Sequence, residues 1–336
     1  MAKLGKYNGL TDVEGILVGN YTDLKAVSGV TAVVCPKGAV AGVEVRGSAP
    51  ATRETDLLAP HNLVERAQAV VLSGGSVFGL SAADGATRWL AEKGHGFPLD
   101  QGHVAPIVPA AALHDLGRGP EFIPPINADW GRWACEAATG NAIENGCFGA
   151  GTGAFSYNIK GGLGTASIIL DSGITVAALV ANNSICSVIN PDSGRPWEIA
   201  LEIDGEFGEQ GKRSVRLPPD SKLDSRPMQN TTIGVVATDA DLTKPQAQKV
   251  VMMAHDGIAR AIRPAHTMFD GDTLFCMATG EKKLPETPGA FISPWAQSLI
   301  ELGHAAADCV SRAIIHSVLS TRSVADMIAF CDLENL

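Results

Sequence analysis

Long apolar runs, basic clusters and metal-type cysteine spacings are all missing from this 336-residue sequence. No stretch approaches the roughly 20 consecutive apolar residues that a membrane-spanning helix needs, so no membrane partner is expected. The opening MAKLGKYNGLTDVEG has basic residues but no apolar segment of the secretory type. Lys and Arg number 26 against 36 Asp and Glu, a net charge of −10. Phosphate recognition needs a basic face, so nucleic acid is not an expected partner either. Cys35, Cys135, Cys147, Cys186, Cys276, Cys309 and Cys331 form no CxxC pair, and their odd number and scatter suit a reducing, cytoplasmic setting. No HExxH or HxxxH pattern offers a zinc site, and no GxSxG elbow offers a serine nucleophile. No metal or organic cofactor is expected.

What the chain has in excess is small residues. Glycine alone supplies 37 of 336 positions, well above the usual ~7%. Small residues let sheets and helices approach closely, which suggests a layered, tightly packed fold with glycine-rich loops. GVTAVVCPKGAVAGVEVRG (29–47) reads as strands. AQAVVLS followed by Gly-Gly-Ser reads as a strand and a tight turn, leading into a helix from about Phe78 to Lys93 with Gly94 as its cap. DWGRWACEAATGN (129–141) predicts a helix ending at Gly140. TASIILDSGITVAALVANNSICSVIN (165–190) predicts two strands about an Asp-Ser-Gly turn.

Residues 204–229 are charged, hold three prolines and lack periodicity, the pattern of a linker or exposed loop. A strand at 231–238, a helix near 243–262, a strand at DTLFCMATG, a long helix at about 293–318 and a short one at 322–331 complete the reading. Strands with helices before and after them imply sheets covered by helices.

Three stretches could carry chemistry. GAGTGA (149–154) superficially matches a dinucleotide fingerprint, but it neither follows a buried strand nor opens a helix. A glycine loop bringing backbone N–H groups to a substrate is the better reading. FDGDT (269–273) sets Asp270 and Asp272 two residues apart. The pair is a solvated turn, a metal site with His266, or a device that positions a nucleophile's proton or ammonium group. His255 and His266 flank a helix end and read as packing or capping residues.

The nucleophile would be Thr231 in QNTTIGVVATDA. An internal threonine is a poor nucleophile, but an N-terminal one has an α-amine of pKa about 7.7–8 as its local base. Such a residue arises when the hydroxyl attacks the preceding carbonyl and the ester is hydrolysed. A polar segment before the threonine and a rigid strand after it provide the setting.

Extended motifs then point to a family. KGAVAGVEVRGSAPATRETDLL (37–58), VVLSGGSVFGLSAADGATRWL (70–90), LVANNSICSVINPDSG (179–194) and the segment from Asn230 to Phe275 resemble the L-aminopeptidase/D-esterase (DmpA-type) family, which includes the 6-aminohexanoate-oligomer hydrolases. The resemblance implies a four-layer αββα sandwich of the DmpA/ornithine acetyltransferase type. It implies one domain over 1–336, self-cleaved between Asn230 and Thr231 into a 1–230 α chain and a 231–336 β chain. Carried over by motif, Thr231 is the nucleophile, Asp270 and Asp272 orient it, Lys160 is a nearby basic residue, and Asn183 polarises the substrate carbonyl; the last alignment also admits Asn182.

The sequence departs from the serine members in having threonine. It also lacks their glutamate in the stretch IVPAAALHD (107–115), which pairs with a substrate's amino group; Glu144 and Asp115 are substitutes to consider. The expected activity is hydrolysis of short peptides, amino-acid amides or esters through an acyl-enzyme, with ω-amino-acid oligomers as an alternative substrate. An acyltransferase of the ornithine acetyltransferase type and an unprocessed binding protein are the other readings. The resemblance also implies a homo-oligomer of αβ units.

Overall fold

The computed structural model describes residues 3–219, 230–289 and 293–336. Nine strands form one continuous hydrogen-bonded sheet: β1 (Leu17–Asp23), β2 (Ser28–Val45), β3 (Ala51–Arg53), β4 (Arg66–Ser73), β5 (Ala110–Ala112), β6 (Gly162–Ile169), β7 (Thr175–Asn183), β8 (Thr231–Ala240) and β9 (Thr273–Lys282). Their order is β6-β7-β8-β9-β2-β4-β5-β3, with β1 also paired to β2. The long strand β2 makes this sheet fold into two layers. Its first half pairs with β1 and β4, its second half pairs with β9, and its register with β4 shifts between Val34 and Ala39. Such an irregularity bends a strand and increases its twist.

Three cores confirm the layering. Val33, Ala41, Val70, Leu72, Leu179, Ala181, Ile233, Val235, Phe275 and Met277 pack together between the two sheet halves. The opposite face of β6–β9, with Val176, Val180, Val236 and Cys276, packs on α3 (Lys244–Ala261) and α4 (Ala296–Leu319). The outer face of the other half, with Val30, Ala32 and Val71, packs on α1 (Ala82–Glu92) and α2 (Ala128–Glu136). The architecture is the expected αββα sandwich. All ten residues of β8 are buried, because one face meets helices and the other meets a sheet. Its composition therefore reads as a nearly continuous apolar run.

The excess of small residues has its reason in the helix contacts. A Cβ on Gly257 of α3 would collide with the Ala307 carbonyl of α4, and one on Gly164 of β6 with the Ala313 carbonyl. Helix α3 begins where Thr243 and Gln246 cap each other reciprocally, with Pro245 in the first turn.

Four expectations need correction. The 129–141 helix stops at Glu136. Residues 322–331 are not a helix: Val324 and Met327 bridge each other, and only a 3₁₀ turn at Phe330–Asp332 follows. The stretch 204–219 is not an exposed linker, since Phe207 and Val215 are buried and Val215 bridges Asn335 near the chain end. Charge misled here because Glu206 is buried in an ion pair with Arg312, also contacting His316 and Asn8. Residues 220–229 of that stretch lie outside the described residues. Finally, five of the six N–H groups of GAGTGA are spent inside the protein rather than offered to a substrate. Gly149 and Ala150 donate to Thr22 and Thr31, and Gly151, Thr152 and Ala154 donate within the turn.

Candidate active site

Strand β8 begins at Thr231, which is 4% exposed and lies on the same pleat face as Ile233 and Val235. That face looks between the two sheet halves, and at this end the space opens into a cleft of about 280 Å³. Ala49, Pro50, Ala51, Val77, Ala112 and Phe269 give the cleft its apolar walls; Ser76 and His114 add polar groups, with Asn230 and Thr231 beside them. The Gly-Gly-Ser turn after β4 is tight, with Gly75 at φ +78° and Ser76 at φ +53°. It thereby delivers Ser76 and Val77 to the cleft.

The Asn230–Thr231 junction is held from two sides. Thr231 Oγ1 lies 2.6 Å from the carbonyl oxygen of Asn230. The same oxygen accepts the backbone N–H of Gly271 at 3.2 Å. Gly271 sits in the Asp-Gly-Asp stretch that leads into β9, the parallel neighbour of β8. A Cβ there would lie 2.8 Å from Thr231 Oγ1 and 2.7 Å from the Ala49 carbonyl, so only glycine lets the backbone come this close. Sequence reasoning missed Gly271, because its role rests on a backbone amide.

The two aspartates flank that glycine and do different things. Asp270 Oδ2 accepts from Thr267 N at 2.8 Å and Thr267 Oγ1 at 2.6 Å. Burial, and then the neighbouring Asp272 charge, push the Asp270 carboxyl above its ordinary pKa. Asp272 Oδ1 accepts the backbone N–H of Thr232 at 2.9 Å, while its Oδ2 accepts His266 Nδ1 at 2.8 Å and His266 N at 3.2 Å. Thr232 is thus more than a plain strand residue: its amide ties β8 to Asp272. His266 is a partner of Asp272 rather than a cap.

Asn183 pairs directly with Thr231 across β7 and β8. It shares the face of Ala181 and Leu179, whereas Asn182 shares the helix-facing side of Val180. Asn183 Nδ2 donates to the His114 carbonyl at 3.1 Å, and its Oδ1 accepts Phe155 N at 2.9 Å. Of the two adjacent asparagines, Asn183 is the one beside Thr231.

Lys160 is fully buried and does not line the cleft. Its Nζ donates to the carbonyls of Gly151, Ala154 and Gly161 at 3.0, 2.8 and 2.5 Å. Burial lowers its pKa to about 8. Its connection to the cleft runs through Phe155, the strand partner of Lys160 that also hydrogen-bonds Asn183. Asp115 is buried against Ser28 and Gly75, burial raising its pKa to about 6. Glu144 is exposed. Neither of these carboxylates lines the cleft.

Among solved structures, the chain superimposes with a TM-score of 0.71 on the L-aminopeptidase D-Ala-esterase/amidase of Ochrobactrum anthropi, described as a variant of the Ntn hydrolase fold. That match covers 96% of this chain and 88% of the other at 22% identity. An uncharacterized aminopeptidase of Mycobacterium tuberculosis (H37Rv) is 43% identical over 97% of this chain and 98% of its own length. A 6-aminohexanoate-oligomer endohydrolase of Kocuria sp. is 26% identical over 91% and 84%. The sandwich is therefore a variant of the Ntn hydrolase fold, and with its aminopeptidase relatives the chain is an enzyme acting on amide bonds. Residues 8–328 match the profile of peptidase family S58, and the chain belongs to that family.

Proposed function

We propose that the chain cuts itself between Asn230 and Thr231 and then hydrolyses small amides with Thr231 as an N-terminal nucleophile. The observation that carries this reading is the junction itself, where hydroxyl and Gly271 amide converge on the Asn230 carbonyl oxygen. Thr231 Oγ attacks the Asn230 carbonyl carbon, and the developing oxyanion is met by the Gly271 N–H. Collapse breaks the C–N bond and leaves an ester; the Thr231 nitrogen takes a proton and becomes an amine. Water then cleaves the ester, giving a carboxylate at Asn230 and a free hydroxyl and amine at Thr231.

In turnover, that α-amine serves as base for its own hydroxyl. A substrate carbonyl replaces that of Asn230, an acyl-enzyme forms as the amine product leaves, and water releases the acid. Asp270 and Asp272 orient this terminus, and Asn183 adds a second donor to the oxyanion. Lys160 holds the buried turn behind Asn183 and supplies positive charge.

The apolar walls of the cleft suit an apolar acyl group. Short peptides, amino-acid amides and esters, and 6-aminohexanoate oligomers are its candidate substrates, the last suggested by the Kocuria relative. Seven free cysteines support a cytoplasmic location, and a homo-oligomer of αβ units is the proposed working form. On denaturing gels the mature protein should run as fragments of about 24 and 11 kDa, in proportion to 230 and 106 residues of a 34.9 kDa chain. Thr231→Ala should remain a single band and hydrolyse nothing; activity in that variant excludes the nucleophile.

A further inference from the structure

Behind the aspartate pair lies a group that neither the self-cleavage nor the hydrolysis scheme uses. His266 directs Nδ1 at Asp272 Oδ2, 2.8 Å away, and its own backbone N–H reaches the same oxygen at 3.2 Å. A carboxylate only accepts, so Nδ1 carries the proton. The backbone of His266 is left-handed, with φ +56°, a conformation disfavoured for a residue with a Cβ. The imidazole ring packs against the ring of His255, centroids 5.1 Å apart at 60°. His255 is fully buried, and its Nε2 is fixed on the Glu44 carbonyl at 2.9 Å. Neither His255 Nδ1 nor His266 Nε2 has a hydrogen-bond partner among the described residues.

A strained backbone, a ring wedged against a second buried ring, and one directed N–H all converge on a single carboxylate oxygen. Asp272 in turn holds the Thr232 amide, one bond along the chain from Thr231, and adjoins Gly271. We propose that His266 is a positioning residue: by locking Asp272, it sets the spacing between the start of β8 and the Gly271 amide, and so the rate of both self-cleavage and hydrolysis. The inference rests on Thr231 being the nucleophile. Packing alone would need only the left-handed backbone or the ring's bulk, whereas positioning needs the Nδ1–H.

Four variants of the full chain separate these roles. Asn at 266 tolerates a left-handed backbone and places an amide N–H where Nδ1–H lies. Gly relieves the backbone but removes the donor, Ala removes the donor and keeps the strain, and Gln carries its amide one atom too far out. His266→Asn should self-cleave within about threefold of wild type, while His266→Gly and His266→Gln, folded by circular dichroism, should be slower by at least about tenfold. For any fraction that matures, the same order should appear in kcat with KM little changed. Gly matching wild type would overturn the inference, as would Asn failing alongside Gly while melting at the wild-type temperature. Thr231→Ala is run in parallel: cleavage or turnover there removes the nucleophile itself, a failure distinct from a normal His266→Gly.

Discussion

The backbone N–H of Gly271 points at the carbonyl oxygen of Asn230 from 3.2 Å, across two parallel strands whose sequences are some forty residues apart. A backbone donor in that position is fixed before any reaction begins, which is what makes oxyanion stabilisation effective.

Gly271→Ala tests that contact. The added methyl would lie within 3.0 Å of Thr231 Oγ1, the Ala49 carbonyl and Pro50 Cα, so the strand start must shift. Self-cleavage should slow by about 10²-fold or more, the typical loss when one oxyanion donor is displaced. A time course of fragment appearance on denaturing gels measures it; cleavage at the wild-type rate would remove Gly271 from the chemistry.

The two asparagines at the end of β7 should separate cleanly. Asn183→Ala removes the amide beside Thr231, and kcat of matured enzyme should fall by about 10²-fold or more. Asn182→Ala acts on the helix-facing side, where neither side-chain polar atom has a partner among the described residues, and should leave kcat within about threefold of wild type. Steady-state kinetics on an activated amide decides, and equal losses would refute the assignment.

Lys160→Met should act on stability first. Removing the ammonium takes a donor from three buried carbonyls, of which those of Gly151 and Ala154 keep the backbone N–H of Ala154 and Gly161, at a cost of roughly 1–3 kcal/mol. Urea unfolding of the Thr231→Ala background, which keeps one intact chain, isolates this from processing. An unchanged midpoint would show that the turn does not depend on Lys160.

Acid stability should report the Glu206 cluster. Burial alone would raise this carboxyl, but hydrogen bonds from His316, Arg312 and Asn8 with the Arg312 charge bring it down to about 2. Its side chain is only 3% exposed. Because the folded pKa lies below the unfolded value near 4.5, the stabilisation is full above about 4.5 and is lost as pH falls through about 2. Its size is on the order of 3 kcal/mol. Glu206→Gln should lower stability at neutral pH and flatten this acid limb relative to wild type; parallel pH–stability curves would refute the coupling.

Much of this was legible in the residues themselves. The run after Asn230 announced a strand, because β-branched and small apolar side chains dominate it. The Asp-Gly-Asp spacing announced two carboxylates about one turn, and the long motifs announced the family. The stretch 204–219 was misread for an equally local reason. Its charges imitate a solvated loop, and nothing in the sequence reveals that Arg312, some hundred residues on, neutralises Glu206.

The sequence by itself determined most of the strands and long helices, the layered class and the candidate nucleophile, because strand periodicity, turn chemistry and motifs are read along the chain. Only the tertiary structure decided which of Asn182 and Asn183 stands beside Thr231. A pleat fixes that neighbouring residues oppose each other, but stacking of the layers decides which face meets the cleft. It likewise decided that Lys160 is buried outside the cleft lining, that the Gly271 amide reaches the Asn230 carbonyl, and that the His266 ring reaches Asp272. The Gly271 amide finds its partner only once two strands distant in sequence are paired.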